Sequence, residues 1–205
     1  MAEWLCSGLQ SRLLRFDSGF SLHQGYITKM TQTKALFLDR DGVINQDNAY
    51  VHKKEDFHFL DGIFELTKEA KNKNYLVIIV TNQAGIGRGL YSEEDFMSLM
   101  DWVKKKFVEN NAVIDDIYFC PYHASHGKGS YKKDSYMRKP NPGMIYNAAK
   151  KYNINLKESI MIGDNISDVE AGHNAGVGIN ILLNEIETYE NAKKIKNLKE
   201  AIKYL

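Results

Sequence analysis

The sequence is poor in several features that mark whole classes of protein. It has only two cysteines, Cys6 and Cys120, which are far apart and form no disulfide framework, and this usage suits a reducing cytoplasm. No apolar stretch approaches the length of about 20 residues that a membrane span requires. Lysine and arginine number 27 against 26 aspartates and glutamates, so no basic excess indicates nucleic acid or an anionic membrane as a partner. These absences favour a cytoplasmic globular protein.

What the sequence does contain is a regular alternation of two kinds of segment. At 205 residues and 43% apolar, the chain can bury one substantial core. Strands are predicted at about 34–39, 75–80, 115–119, 159–163 and 177–183, and helices near 61–73, 92–110, 142–152 and 167–175. This alternation predicts an α/β fold, a three-layer sandwich with a mainly parallel Rossmann-like sheet. Its site should lie at the carboxyl ends of the strands.

Two carboxylates and a glycine end the first predicted strand. Asp39 and Asp41 follow a buried-type apolar run, and on an extended backbone residues two apart point the same way. Gly42 lets the chain turn sharply after them. The pattern is also that of a calcium loop, but the twelfth position counted from Asp39 is Tyr50, where a calcium loop has glutamate. On this pair alone, an ordinary turn and a catalytic pair are equally open interpretations.

Further polar motifs occur in order along the chain. Thr81-Asn82-Gln83 follows the second predicted strand, Arg138-Lys139-Pro140 precedes the helix near 142–152, and Asp164 follows the fourth strand with Asp168 four residues beyond it. An Asp pair, a hydroxyl, a cationic pair and a further acid in this order resemble the haloacid dehalogenase-like phosphohydrolases. The resemblance covers about residues 34–183, and four ordered motifs are much more specific than any one of them.

Shorter stretches resemble one branch of that family, the D-glycero-D-manno-heptose 1,7-bisphosphate 7-phosphatases, which serve the synthesis of activated heptose for surface polysaccharide. The stretches are 49–52, 81–89, 118–121 and 138–144. The nearest relative of this branch is the histidinol-phosphatase domain, which shares the Asp-x-Asp, Thr-Asn-Gln and Arg-Lys-Pro elements. Tyr50-Val51-His52 and Ile86-Gly87-Arg88-Gly89 favour the heptose enzyme. A phosphosugar-binding relative that has lost turnover is a third alternative.

The resemblance implies a Mg²⁺-dependent phosphomonoesterase that works through an aspartyl-phosphate. Asp39 would be the nucleophile and Asp41 the general acid and base. Asp39, the backbone carbonyl of Asp41 and Asp164 would hold the Mg²⁺. Thr81 and Lys139 would stabilise charge on the phosphoryl oxygens.

Other residues are expected to contact the substrate or support the site. The segment 45–52 should form a small flap, and because 45–60 and 120–137 are short, we expect a minimal cap and an open site for a small sugar phosphate. The residues expected to bind substrate are Asp47, Asn48, Tyr50, His52, Asn82, Gln83, Arg138, Lys139 and Asn165. Arg138, which can bind phosphate oxygens bidentately, is also placed with the catalytic residues. Asp168 is either a partner of the site residues or a helix cap, and 85–89 is interpreted as a flexible loop.

The family commonly carries a structural zinc, bound by Cys-x-His and Cys-x-Cys before the Arg-Lys-Pro motif. Here Cys120 stands in place, but the other three positions hold Tyr122, Ser135 and Met137. His123 and His126 would raise the count to three ligands, whereas structural zinc usually needs four. We therefore expect the loop to fold without zinc and Cys120 to be a small buried residue.

Residues 1–29 do not share the strand–helix pattern. They lack the long apolar region of a signal peptide, and Met30 looks like a native start. We expect 1–29 to be an extension without function and 30–205 to be the phosphatase domain, which we expect to be monomeric.

Overall fold

Six parallel strands form the central sheet of the described chain. They are β1 (Lys34–Leu38), β2 (Tyr75–Asn82), β3 (Asp116–Cys120), β4 (Ile160–Gly163), β5 (Ile179–Leu183) and β6 (Lys193–Ile195). Their spatial order is β3-β2-β1-β4-β5-β6. The structure is a computed structural model that describes residues 32–184 and 186–205. The predicted extension 1–29 and the predicted domain start at Met30 lie outside the described residues.

Helices cover both faces of this sheet. They are α1 (Ile63–Asn72), α2 (Ala84–Arg88), α3 (Glu93–Glu109), α4 (Gly143–Tyr152) and α5 (Ile166–Ala175), with a 3₁₀ helix at Leu198–Tyr204. Buried residues of α1, α3 and the 3₁₀ helix share one hydrophobic core with the sheet. Buried residues of α4 and α5 share the other core. The predicted three-layer α/β sandwich is confirmed.

Strand β1 explains why the sheet must be covered on both sides. Leu36 and Leu38 belong to the core beneath α1 and α3, whereas Ala35 and Phe37 belong to the core beneath α4 and α5. All four side chains are fully buried, as expected for alternate residues of a central parallel strand. Each buried leucine or phenylalanine stabilises the fold by about 1.5–3 kcal/mol. Strand β1 is therefore firmly packed, and its end fixes the position of Asp39 and Asp41, which follow it.

Helix α3 begins at a capping box. The Ser92 hydroxyl accepts a hydrogen bond from the Asp95 backbone N–H at 3.0 Å, and the Asp95 carboxylate accepts one from the Ser92 N–H at 2.9 Å. Apolar residues then recur at helical spacing and are buried: Phe96, Leu99, Met100, Val103 and Phe107.

The edges of the sheet differ from the sequence prediction. Strand β6 was not predicted, because it has three residues and only Ile195 is buried. The lysines of this region are exposed, namely Lys193, Lys194, Lys196, Lys199 and Lys203. None of the helices in 32–184 and 186–205 has the length and apolar character needed to span a membrane.

Candidate active site

The carboxyl ends of three adjacent strands form the floor of a polar cleft. Because β2, β1 and β4 are neighbours and parallel, the residues that follow them meet at one edge of the sheet. The cleft has a volume of about 400 Å³. It is lined by Asp39, Asp41, Asp47, Ala49, Tyr50, Asn82, Gln83, Ala84, Gly85, Tyr91, Arg138, Lys139, Asp164, Asn165, Ser167 and Asp168. Most of the residues that the sequence singled out therefore lie together.

Asp39 is held against a buried lysine. Its Oδ1 accepts hydrogen bonds from the Arg40 backbone N–H at 2.7 Å and from Lys139 Nζ at 2.8 Å. Its Oδ2 has no hydrogen-bond partner among the residues that the structure describes. The bound oxygen fixes the side chain, and the other oxygen is left available to the cleft.

Lys139 uses its whole donor capacity within the protein. It is only 3% exposed, and its Nζ contacts Asp39 at 2.8 Å, Asp168 at 2.7 Å and the Val80 carbonyl oxygen at 2.8 Å. An ammonium group has three N–H donors, so each is engaged. An anion entering the cleft must therefore share or displace the contact with Asp39 or Asp168. Burial lowers the pKa of Lys139, but Asp168 and Asp39 outweigh it and raise the pKa overall, which keeps the side chain charged.

Three carboxylates come together here, two of them in contact with this lysine, and their charges are only partly balanced. Asp39, Asp164 and Asp168 each place an oxygen within 4.8 Å of the others. Burial, reinforced by the charge of Asp168, raises the pKa of Asp39 to about 7 even though Lys139 opposes the shift. Burial, again with Asp168, raises the pKa of Asp164 to about 7. An excess of negative charge on hard oxygen ligands fits a divalent cation such as Mg²⁺.

Gly42 is required by the approach of Asp164 as well as by the turn. Its φ is +77°, and a Cβ at this position would overlap the Asp164 carboxylate. The predicted turn is thus confirmed with a second cause, because Gly42 lets the loop after β1 close against the loop after β4.

Asp168 has both of the functions that the sequence left open. Its Oδ2 accepts a hydrogen bond from the Asn165 N–H at 3.1 Å, which completes a capping box at the start of α5. Its Oδ1 contacts Lys139 Nζ at 2.7 Å. The N-cap itself is Asn165, whose side chain accepts a hydrogen bond from the Ser167 N–H at 3.0 Å. Asn165 is exposed and lines the cleft.

The Asp41 carboxylate accepts hydrogen bonds from several side chains. Arg40, which is fully buried, directs Nη2 to both Asp41 oxygens at 2.7 Å and Nε to both at 3.1 Å. Asn45 Nδ2 donates to Oδ1 at 3.0 Å and Gln83 Nε2 to Oδ2 at 3.2 Å. The orientation of this carboxylate is therefore set by the protein before any substrate binds.

The three side chains of the Thr-Asn-Gln motif make different contacts. Thr81 is buried, is absent from the cleft lining and accepts a hydrogen bond from Gln83 Nε2 at 2.9 Å. Asn82 bridges to the backbone of Lys139, accepting from its N–H at 3.0 Å and donating to its carbonyl at 3.1 Å. Asn82 thus secures the loop that carries Lys139, in addition to lining the cleft.

Arg138 lies at the edge of the cleft and is half-buried. Its Nη1 donates a long hydrogen bond of 3.4 Å to the Tyr122 carbonyl. Burial lowers the pKa of Arg138, and the charge of Arg88 adds to the effect. The guanidinium makes no ion pair within the described ranges, so its charge faces the cleft uncompensated.

The predicted flap is split between two surfaces. Asp47 and Tyr50 line the cleft, whereas Asn48 and His52 line a neighbouring pocket, so the predicted contact of these two with substrate stays a prediction. Ala49 and Tyr50 both have positive φ, 54° and 57°, so the chain turns between them. The His52 ring is instead stacked on Tyr91, with centroids 4.9 Å apart and an interplanar angle of 6°.

The glycine-rich segment after β2 is helical, so its interpretation as a flexible loop is wrong. It forms α2, which ends at Gly89 with φ +73°. Glycine is needed here for close packing, because a Cβ at Gly85 would overlap the Tyr91 ring and one at Gly87 would overlap the Pro121 carbonyl. Glycines that permit contact look the same in sequence as glycines that permit bending.

The loop that carries zinc in the family shows no converging ligand set. Cys120 is buried with its sulfur 4.0 Å from the Tyr122 carbonyl, and His123 Nδ1 is 3.2 Å from the backbone nitrogens of Ser125 and His126. Within the described ranges, the group of three or more His, Cys, Asp or Glu ligands that comes together is the carboxylate cluster. That the loop folds without zinc remains a prediction.

Two site residues were missed by sequence reasoning, Arg40 and Tyr91. The available signal for Arg40 is a charged residue placed between two carboxylates directly after a buried strand. Tyr91 gave no signal, since it lies beyond α2 and reaches Gln83 only through the tertiary fold.

Comparison with known proteins finds relatives in both sequence and fold. A family model described as HAD-hydrolase-like matches residues 136–201. The chain is 56% identical to the D-glycero-alpha-D-manno-heptose-1,7-bisphosphate 7-phosphatase of Burkholderia mallei over 74% of this chain and 80% of that protein. It is 49% identical to the D-glycero-beta-D-manno-heptose-1,7-bisphosphate 7-phosphatase of Vibrio cholerae over 73% and 80%. A crystal structure of D,D-heptose 1,7-bisphosphate phosphatase from B. bronchiseptica, complexed with magnesium and phosphate, superimposes with a TM-score of 0.72 at 26% identity, covering 83% and 97%.

Proposed function

The chain belongs to the haloacid dehalogenase-like family of D-glycero-D-manno-heptose-1,7-bisphosphate 7-phosphatases, and from this we propose that it removes the 7-phosphate of D-glycero-D-manno-heptose 1,7-bisphosphate. The observation that carries the proposal is the pairing of Asp39 with the buried Lys139 in a cleft that also contains a fixed second carboxylate, Asp41. The product would serve the synthesis of an activated heptose for surface polysaccharide.

The chemistry follows from how the two carboxylates are held. Asp39 attacks phosphorus, the bond to the sugar oxygen breaks, and an aspartyl-phosphate forms. Asp41 gives its proton to the departing sugar oxygen and later takes one from the water that hydrolyses the intermediate, a contribution of typically about 10²–10⁴-fold in rate. Lys139 stabilises negative charge on the phosphoryl oxygens by exchanging one of its carboxylate contacts. Thr81 was predicted for the same role, but its hydroxyl is buried and does not line the cleft, so it would reach a phosphoryl oxygen only after a local rearrangement.

Asp39 and Asp164 are the carboxylates best suited to hold Mg²⁺, together with the backbone carbonyl of Asp41. Both oxygens of Asp168 are engaged, one by Lys139 and one by the N–H of Asn165, so Asp168 serves better as the partner of the lysine. When bound, Mg²⁺ supplies positive charge that offsets the repulsion between the carboxylates and a phosphate dianion.

The remaining cleft residues suit a soluble sugar phosphate. Arg138 offers an uncompensated guanidinium at the rim, and Asp47, Tyr50 and Asn165 offer polar groups to sugar hydroxyls. Gln83 is less exposed to substrate, because its amide is bound to its neighbours. The proposal places the enzyme in the cytoplasm, acting as a monomer.

Substrate choice is tested by a comparison of three esters. We expect kcat/KM for one anomer of the heptose 1,7-bisphosphate to exceed that for histidinol phosphate by at least about 100-fold, equivalent to about 2.7 kcal/mol. Steady-state phosphate release on both anomers and on histidinol phosphate measures this, with an Asp39→Asn preparation as the control for contaminating phosphatases. A preference for histidinol phosphate would overturn the proposal.

Metal dependence should vary with pH in a defined direction. The pKa values of Asp39 and Asp164 lie near 7 instead of 3.8, so the folded protein binds protons more tightly than the unfolded chain between those values. The stability of the metal-depleted protein should therefore fall as pH rises from about 4 to 7, and Mg²⁺ should restore it. We expect EDTA to abolish activity, and added Mg²⁺ to raise Tm more at pH 8 than at pH 6.

The same preparation tests the zinc expectation. Elemental analysis should find much less than one zinc per chain, and stoichiometric zinc would contradict our interpretation of the loop at Cys120.

The Mg²⁺ prediction has its own contradicting outcome. If Mg²⁺ raises Tm more at pH 6 than at pH 8, the assignment of Asp39 and Asp164 as the metal-binding carboxylates is wrong.

A further inference from the structure

The carboxylate of Asp41 is held from two sides by residues that do not themselves react. On one side lies the guanidinium fork of Arg40, and on the other the amides of Asn45 and Gln83. Tyr91 extends this second side, because its hydroxyl donates to Gln83 Oε1 at 2.6 Å. The arrangement leaves Asp41 little freedom to turn.

We propose that Arg40 and Tyr91 are positioning residues for proton transfer by Asp41, Arg40 acting directly and Tyr91 acting through the Gln83 amide. The proposal rests on the proposed function, because it takes Asp41 as the acid that protonates the leaving group. Positioning matters energetically, since a displacement of about 1 Å of a reacting group can cost about 100-fold in rate.

The position of Arg40 suits the orientation of Asp41 better than it suits the stability of the fold. It is fully buried, its guanidinium lies 5.6 Å from the Phe96 ring centroid, and its Nη2 also donates to the Val51 carbonyl at 2.8 Å. Among the described residues, its Nη1 is buried without a hydrogen-bond partner, and an unsatisfied buried donor destabilises the fold. A buried ion pair is weak evidence of stabilisation, so the fork is better explained by its control of Asp41.

Tyr91 determines which way the Gln83 amide faces. By donating to Oε1, the hydroxyl leaves Nε2 to donate to Asp41 Oδ2 at 3.2 Å and to Thr81 Oγ1 at 2.9 Å. The reversed amide would present its oxygen to a carboxylate. Burial raises the pKa of Tyr91 to about 12, so the hydroxyl keeps the proton that it donates.

The Tyr91 ring is itself fixed by its surroundings. His52 stacks on it, and Gly85 approaches so closely that a Cβ would overlap it. The flap residue His52 therefore contacts the positioning network instead of the cleft.

The test removes one oxygen atom with Tyr91→Phe. Phenyl phosphate and p-nitrophenyl phosphate have similar shapes, but p-nitrophenolate departs with little need for a proton. We expect kcat/KM, which reports the formation of the aspartyl-phosphate and not its hydrolysis, to fall about tenfold on phenyl phosphate, part of what proton transfer contributes, and clearly less on p-nitrophenyl phosphate. Tyr152→Phe is the matched control, because it removes a hydroxyl bonded to Asp116 at 3.1 Å, away from the cleft, and should leave both rates unchanged.

A second variant, Arg40→Lys, keeps the charge but removes the fork. We expect about a 100-fold loss of kcat/KM on phenyl phosphate, again with a smaller loss on the nitrophenyl ester. Equal losses of kcat/KM on both esters, in variants whose Tm shows that they are folded, would overturn the proposal. The wild-type protein could also fail to hydrolyse the heptose bisphosphate while the variants still lose more activity on phenyl phosphate than on p-nitrophenyl phosphate. That result would refute the proposed substrate and leave the positioning role standing.

Discussion

Asp39→Asn is expected to abolish turnover on every phosphate ester while the protein remains folded. The amide has the shape of the carboxylate, but it lacks the charge that attacks phosphorus. We expect kcat to fall by at least about 10⁴-fold, as for the loss of other covalent nucleophiles. The fold should survive, because Asp39 lies beyond the end of β1 and its loss relieves repulsion from Asp164 and Asp168.

Two measurements check this expectation. Steady-state assays compare wild type and variant on the heptose bisphosphate and on p-nitrophenyl phosphate, and mass spectrometry of acid-quenched wild type seeks a phosphoryl group on the peptide that contains Asp39. Asp101→Asn is the matched control, since it makes the same change at an exposed site on α3 and should have no effect. Residual activity within about tenfold of wild type would rule out the covalent mechanism.

The sheet was predictable where burial on both faces left a continuous apolar run. Strand β1 is one such run, with all of Ala35 to Leu38 buried, and β2 is another. Strand β6 could not be recognised, because an edge strand with a single buried residue, Ile195, has no periodicity to detect. Helix α2 was missed because its glycines serve packing against Tyr91 and Pro121, which is a tertiary cause.

The reactive residues of the site could be predicted for a topological reason. Asp39 and Asp164 follow parallel neighbouring strands, so their meeting is a consequence of the sheet order. The residues that hold them could not be predicted in the same way. Arg40 turns back toward Asp41 only after the chain has left β1, and Tyr91 reaches Gln83 across α2. Such contacts depend on side-chain directions in loops, which local periodicity does not encode.

Lys139→Met is expected to lower kcat on every phosphate ester by about 10²–10³-fold, the loss typical of removing one preorganised donor to a transition-state oxyanion. Methionine keeps most of the bulk of this buried side chain, so the effect reports the lost charge. The change also leaves Asp39 and Asp168 without their shared cation, and the pKa of Asp39, already raised by burial, should rise further. More of the nucleophile is then protonated near neutrality, so the loss should be greater at pH 6 than at pH 8.

The matched comparison is Arg138→Met, which removes the adjacent positive charge by the same substitution. Arg138 contacts none of the three clustered carboxylates and lies at the rim of the cleft. Its loss should act mainly through kcat/KM for the bisphosphate, and much less through kcat on p-nitrophenyl phosphate. This contrast is what separates a cation that takes part in phosphoryl transfer from one that only attracts the substrate. If the two variants lose kcat equally on both esters, or if Lys139→Met changes only KM, the assignment of Lys139 to the transferring phosphoryl group is wrong.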